Sequence, residues 1–223
     1  MTTRVIAIDG PAGSGKSTTA RAVADRLGFA HLDSGALYRA ATLAVLDGAV
    51  PAGGDAIVGL ARSLPVRLAL AGPSFRPEVA GVDVSEAIRS ARVTERVSSI
   101  AALPAVREWV NGELRVAAAL HPVGVVVEGR DIGTVVFPDA PIKIFLTASA
   151  AERARRRARQ SGEDAATDLG RVQSDLSRRD QADATRAVAP LARARDAVEL
   201  DTTQMRFDQQ VSEIVTIARK AFP

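Results

Sequence analysis

Eight consecutive residues, Gly10-Pro11-Ala12-Gly13-Ser14-Gly15-Lys16-Ser17, follow the pattern G-x-x-x-x-G-K-[ST]. The glycines permit a tight backbone whose N–H groups converge on an anion at a helix start, where roughly half a positive charge gathers. Such a loop holds the phosphates of a nucleotide, and the stretch Gly10 to Thr18 is the expected binding segment for ATP. Lys16 would reach the β and γ phosphates, and Ser17 would ligate Mg²⁺ together with waters. A chance glycine-rich turn would need no particular flanks. Here an apolar strand, Val5 to Asp9, leads in and a helix leads out, which is the context the motif requires. The loop specifies nucleotide binding and leaves the reaction open.

Glu128 ends a third apolar run, Val125-Val126-Val127. It could serve the metal through bound water, as a Walker-B carboxylate does, or be a solvated strand end. No Asn-Lys-x-Asp guanine motif occurs in the chain.

Four arginine-bearing stretches outside the loop need explaining: Asp33 to Arg39, Ser98 to Arg107, Gly129 to Gly133, and Arg178 to Arg186. Two of them directly follow predicted strands, so Arg39 and Arg130 can face the phosphate loop across the crevice of a doubly wound sheet. An acceptor that is itself a phosphate needs such guanidiniums, because two anions must be brought to in-line distance. Any single arginine is otherwise an ordinary surface charge.

These residues need a scaffold. Strands buried on both faces are expected at Val5 to Asp9, Phe29 to Asp33, Gly124 to Glu128, Ile142 to Thr147 and Ala197 to Asp201. Helices are expected at Lys16 to Leu27, stopped by Gly28, and at Gly35 to Asp47, stopped by Gly48. Pro104 opens another, with Trp109 in the core, and Val211 to Phe222 forms a last helix closing over the sheet. Alternation of strands and helices implies right-handed crossovers and a three-layer α/β fold with a mainly parallel sheet. Pro65 to Ser85 departs from this: Val66, Leu68 and Leu70 alternate, Gly72-Pro73 turns, and short strands follow, giving a small β insertion.

Taken together, Asp33-Ser34-Gly35 with Tyr38-Arg39, the run Glu128-Gly129-Arg130-Asp131-Ile132-Gly133 through Pro141, and Arg186-Ala187-Val188-Ala189-Pro190-Leu191 closely resemble the bacterial cytidylate kinase family, nearly end to end. The resemblance implies the P-loop nucleoside monophosphate kinase core: five parallel strands in the order 2-3-1-4-5, a β insertion in the monophosphate-binding region at about 63–100, and a helical lid at about 150–185 of a single 1–223 domain. It implies ATP-dependent phosphorylation of CMP and dCMP. Arg39, Arg130 and Arg179 would bind the acceptor phosphate, with Ser34 and Tyr38 lining its site. Ser98, Arg107 and Asp131 would recognise cytosine, while Asp183 and Arg186 would approach sugar and phosphate. Cytosine offers an acceptor carbonyl and ring nitrogen to Arg and Ser, and a buried Asp can fix the arginine; Asp131 could instead only cap a turn. Ser99 stands beside Ser98, so helix phase decides between them. The family often has Asp in place of Glu128 and a further Arg where Gln181-Ala182 stands.

Ser149-Ala150-Ala151-Glu152 reads as a capping box for a helix carrying Arg153, Arg155, Arg156, Arg157 and Arg159. That helix could be a solvated face or a nucleic-acid patch, although the chain is only 4% aromatic and offers no interleaved stacking rings. In the resembled family it is a lid, with Arg153, Arg156 and Arg157 aligned to the arginines that meet the transferred phosphoryl.

Composition narrows the field. At 223 residues and 47% hydrophobic, one sizeable core is expected. A net charge of +3 does not call for nucleic acid, and the absence of cysteine removes disulfides, thiolate metal sites and a thiol nucleophile. Only His31 and His121 are present, too few for a histidine metal cluster. The start Met1-Thr2-Thr3-Arg4 has no signal-peptide pattern and no apolar run reaches membrane-spanning length, so a cytoplasmic protein without a membrane partner is expected. A monomer is an expectation of the resemblance. Two rivals remain: a P-loop kinase of another small molecule, and an ATP-gated RNA-binding protein using the Arg153 to Arg159 helix.

Overall fold

The computed structural model describes residues 4–48, 53–160 and 168–222. Among these, β1 (Arg4–Asp9) leads through the phosphate loop into α1 (Lys16–Leu27), and β2 (Ala30–Asp33) into α2 (Ser34–Gly48). There follow α3 (Gly54–Ser63), the strands β3 (Val66–Ala71), β4 (Ser74–Val79) and β5 (Val82–Asp83), a short turn of helix at Ala87–Arg89, α4 (Ala91–Ala101) and α5 (Pro104–Ala119). The chain closes with β6 (Gly124–Gly129), a π-type turn at Ile132–Val136, β7 (Ile142–Thr147), α6 (Ala150–Gln160), α7 (Leu169–Thr185), β8 (Val198–Asp201) and α8 (Phe207–Ala221).

Five strands run parallel in the order β2-β6-β1-β7-β8. Counted along the chain they read 2-3-1-4-5, the order the resemblance implies. β1 lies in the middle, with Arg4 to Asp9 paired to Gly124 to Gly129 on one side and Ile6 to Asp9 to Ile142 to Phe145 on the other. The phosphate loop therefore leaves the carboxyl end of a strand held from both sides.

Period-two alternation divides the core. Val5 and Ala7 of β1 pack with Leu32, Leu37, Trp109 and Leu114 in one layer, under α2 and α5. Ile6 and Ile8 pack with Val23, Ile144, Leu146 and Ile214 in the other, under α1 and α8. Each fully buried Val, Leu or Ile contributes about 1.5–3 kcal/mol, so the loop rests on a stiff two-sided platform.

Two expectations are corrected. The Pro65–Ser85 segment does form antiparallel strands, Val66 to Ala71 against Ser74 to Val79, but it is continuous with the main sheet: β4 joins β2 in parallel at His31 and Ser74. The sheet thus has more than five strands. β8 was expected to be buried on both faces and is an edge strand, with Val198 45% exposed, because among the described residues only β7 pairs with it. Nothing in the sequence patterns marked α3, whose buried positions are only Ile57 and Ala61. The expected lid segment is represented by α6 and α7, and its residues 161–167 lie outside the described residues. Among the described residues no helix is long and apolar enough to cross a membrane.

Candidate active site

Gly10 and Gly13 show why the loop must be glycine-rich. A side chain on Gly10 would put its Cβ 2.1 Å from the Leu146 carbonyl oxygen, and Gly13, at φ 76°, lies with its Cβ position 3.0 Å from the Arg153 carbonyl oxygen. Close packing, and not only turn geometry, excludes other residues. Gly15 caps α1 in a left-handed conformation, and Lys16 begins the helix. The Lys16 amine donates to the Pro11 carbonyl at 2.7 Å and lies 3.4 Å from Ser14 Oγ. Burial, and then the charge of Arg130, push its pKa well below the usual lysine value.

Behind the loop stands a buried polar chain. Ser17 donates to Glu128 Oε2 at 2.7 Å, and His31 Nε2 lies 2.9 Å from Glu128 Oε1. Glu128 is 3% exposed, which removes the reading of a solvated strand end. Burial opposes its ionisation, but the His31 hydrogen bond and charge, Lys16 and Ser17 outweigh it and hold the carboxyl below its ordinary pKa. Asp33 next to it goes the other way, raised by burial and by the Glu128 charge. Ser34 Oγ donates to the Glu128 carbonyl at 2.7 Å, tying α2 to the same strand end.

A cleft of about 450 Å³ opens at the carboxyl ends of the parallel strands. Its walls gather Ala12, Gly13, Gly15, Lys16, Ser17 and Thr18 from the loop, and Ser34, Tyr38, Arg39, Ser98, Arg107, Glu128, Arg130, Asp131, Arg156, Arg157, Arg179, Asp183 and Arg186 from elsewhere. Gly10, Pro11, Ser14 and Arg153 do not line it. Ser98 does and its neighbour does not: Ser99 is exposed and donates to the Arg96 carbonyl.

Cations crowd one end. Arg130 Nε donates to Asp183 Oδ2 at 2.9 Å, and Arg39 reaches the Ile88 carbonyl at 3.1 Å and Thr94 Oγ1 at 3.0 Å. Burial lowers the Arg179 pKa to about 10, with Arg130, Arg39 and Arg157 adding repulsion, and its Nε has no hydrogen-bond partner among the described residues. Arg39 is lowered too, by burial and by Arg157, Arg89 and Arg130. A buried cluster of one sign is a place for anions.

At the other end the charges are paired. Arg107 is 2% exposed, donates to Asp131 Oδ2 at 2.5 Å and to the Ala101 carbonyl at 3.0 Å, and lies 5.4 Å over the Tyr38 ring. Arg186 adds a second donor to Asp131 at 3.3 Å. The Tyr38 pKa is raised by burial, and its hydroxyl has no hydrogen-bond partner among the described residues.

The arginine helix faces inward. Arg153 donates to the Ala12 carbonyl at 2.9 Å and to Asp180, while Arg156 reaches the Ser14 carbonyl at 3.2 Å and Thr202 at 2.7 and 2.9 Å. Arg157 lines the cleft beside Arg39 and Arg179 and reaches Gln160 Oε1 at 3.4 Å. The capping box is half formed. Ser149 Oγ accepts the Glu152 N–H, but the Glu152 carboxylate turns to Arg155 and Arg156.

The model of the family described as "Cytidylate kinase" matches residues 6–220. The chain belongs to the cytidylate kinase family. It is 45% identical over 214 residues to the cytidylate kinase of Streptomyces griseus subsp. griseus, covering 96% of this chain and 91% of that one. To the cytidylate kinase of Corynebacterium glutamicum it is 47% identical over 216 residues, covering 95% and 92%. It also matches the bifunctional pantoate ligase/cytidylate kinase of Synechocystis sp. at 45% identity, through 97% of this chain and 43% of that longer one. The family places the cleft in an enzyme, a phosphotransferase.

Sequence reasoning passed over four polar residues whose hydrogen bonds hold the loop, the strand ends and Arg156: Asp9, His31, Asp180 and Thr202. Asp9 stood in the sequence as the last residue of a strand directly before the loop, and burial of a carboxylate there was the available signal. The partners of the other three lie far away in the chain, and no spacing betrays them.

Proposed function

We propose that the chain transfers the γ-phosphoryl group of ATP to CMP and dCMP, giving ADP with CDP or dCDP. The observation that carries this reading is the division of one cleft into a phosphate loop, a buried arginine cluster and a paired Arg107–Asp131 end. Two anions and one neutral base fit those three surfaces.

In this reading the loop N–H groups and Lys16 hold the donor phosphates, and Arg39, Arg130 and Arg179 hold the acceptor phosphate. A phosphate oxygen of CMP attacks the γ phosphorus, the bond to the β–γ bridging oxygen breaks, and ADP leaves. The nucleophile is already ionised, so no general base is required and the chain acts by positioning and charge. Arg157, aided by Arg156, meets the charge of the transferred group, while Arg153 holds the lid helix on the loop. Ser34 and Tyr38 shape the acceptor site, Ser98, Arg107 and Asp131 take the base, and Asp183 and Arg186 approach the sugar and hold Arg130 and Asp131 in place.

A magnesium ion fits the donor set: the exposed Ser17 hydroxyl beside the ionised Glu128 carboxylate offers hard oxygen ligands. Ser17 would hold it, with Glu128 orienting its waters. When bound, such an ion neutralises charge on the β and γ phosphates.

The test is product stoichiometry. ATP and CMP should give CDP and ADP one to one, with Arg130→Met and Arg179→Met each lowering kcat/KM for CMP by a hundredfold or more. ADP without CDP would sink the reading.

A further inference from the structure

Asp9 is 4% exposed and ends β1 one residue before the phosphate loop. Each of its carboxylate oxygens accepts one amide: Ile132 N–H to Oδ1 at 2.8 Å and Gly133 N–H to Oδ2 at 2.7 Å. These two N–H groups open the turn at Ile132–Val136, where intrahelical acceptors are lacking. The residue that normally supplies that acceptor is the N-cap, and an aspartate there is among the best caps known. The N-cap is Asp131, yet its side chain makes no cap bond. Its two oxygens accept from Arg107 and Arg186 instead.

We propose that Asp9 is a positioning residue that caps this turn in place of Asp131, and so frees the Asp131 carboxylate to hold Arg107 and Arg186 at the base end of the cleft. Without Asp9, two buried N–H groups would be left without acceptors, and Asp131 is the nearest carboxylate in sequence able to satisfy them. Turning inward to do so, it would release Arg107. The strand that launches the donor loop would thereby set the geometry of base selection on the far side of the cleft. A Cβ on Gly133 would crowd the Lys143 side chain at 3.2 Å while meeting Asp9 Oδ2 at an ordinary contact distance of 3.4 Å.

The inference rests on the proposed reading of Arg107 and Asp131 as base-recognition groups, and the test separates the two. The guanidinium resonances of Arg107 and the exchange of the Ile132 and Gly133 amides are followed by NMR in the full chain, with CMP, UMP and ATP affinities measured by calorimetry. Asp9→Asn retains shape but turns a donor toward an N–H, and Asp9→Ala removes the cap. Expected for both are faster amide exchange, a shifted and rapidly exchanging Arg107 signal, and tenfold or greater loss of CMP affinity. The CMP-over-UMP preference should fall, with ATP affinity within threefold of the parent. A structural defect alone would not erase base preference while sparing ATP. If one variant does not fold, the other carries the test. Unchanged Arg107 signals with unchanged CMP-over-UMP preference in the folded variants overturn the proposal. Arg107→Ala is the control on the underlying reading: if it binds CMP and UMP as the parent does, base recognition by Arg107 fails, while the Arg107 signal in the Asp9 variants still decides the capping role.

Discussion

Asp180 of α7 accepts the backbone N–H of Ala12 in the phosphate loop at 2.8 Å. Its second oxygen accepts from Arg153 of α6, which in turn donates to the Ala12 carbonyl. Both polar groups of residue 12 are thus read by α6 and α7, and the Ala12 methyl is packed with Ala154, Val172 and Leu176. The position of Arg179, one residue before Asp180, depends on that docking. With side-chain exposures of 11% and 16%, loss of either partner of the Arg153–Asp180 pair should cost about 2–4 kcal/mol of docking. Asp180→Ala and Arg153→Ala are each expected to lower kcat/KM about ten- to a hundredfold. The double variant should be little worse than the worse single, and a double-mutant cycle in steady-state kinetics checks it. Fully additive losses would show that the two act separately.

Lys16 sits at the helix start with its amine on loop oxygens. Its contribution should appear in the transition state, so Lys16→Ala is expected to lower kcat by about a hundredfold or more while CMP affinity stays within a few-fold. A kcat within a few-fold of the parent would remove Lys16 from the phosphoryl-transfer site.

Ser98 and Ser99 make an internal control, because one faces the cleft and the other faces out. Ser98→Ala should raise KM for CMP several-fold, about the worth of one hydrogen bond to the base, and Ser99→Ala should leave it unchanged. Equal effects would place the base elsewhere.

Asp9 makes function costly to stability. Burial lifts its carboxyl from 3.8 to about 6; the Gly133 and Ile132 N–H groups and Lys16 oppose the lift, and Asp131 adds to it. Between about pH 4 and 6 the folded chain keeps a proton that the unfolded chain releases, so this group's contribution falls as pH rises and is flat above. The loss amounts to about 3 kcal/mol. In denaturant unfolding, Asp9→Asn should therefore gain on the parent by about that amount between pH 4 and pH 7. A difference that stays flat or runs the other way contradicts the assignment.

How far the sequence reaches is clear from these residues. The loop from Gly10 to Ser17 and its place between a strand and a helix are local, and local pattern is enough to see them. Arg130 and Asp131 were visible because they follow a strand end, where doubly wound sheets put their clefts. What local pattern cannot give is rotation about a helix axis. Arg153, Arg156 and Arg157 look alike in sequence, and only docking of α6 on Ala12 sends Arg157 into the cleft and Arg153 to Asp180. Nor can it give pairing across the chain: Asp9 and Gly133 are brought together only because β1 lies beside β6. The edge position of β8 was hidden for a similar reason, since Val198 and Leu200 look the same whether one neighbour or two flank the strand.

The most direct test of the central claim is ADP release from ATP, coupled to a spectrophotometric readout, against CMP, dCMP, UMP, AMP and GMP in turn. The expected result is kcat/KM for CMP and dCMP at least about tenfold above every other acceptor, with Arg107→Ala narrowing the gap. A kcat/KM for AMP equal to that for CMP would contradict the account.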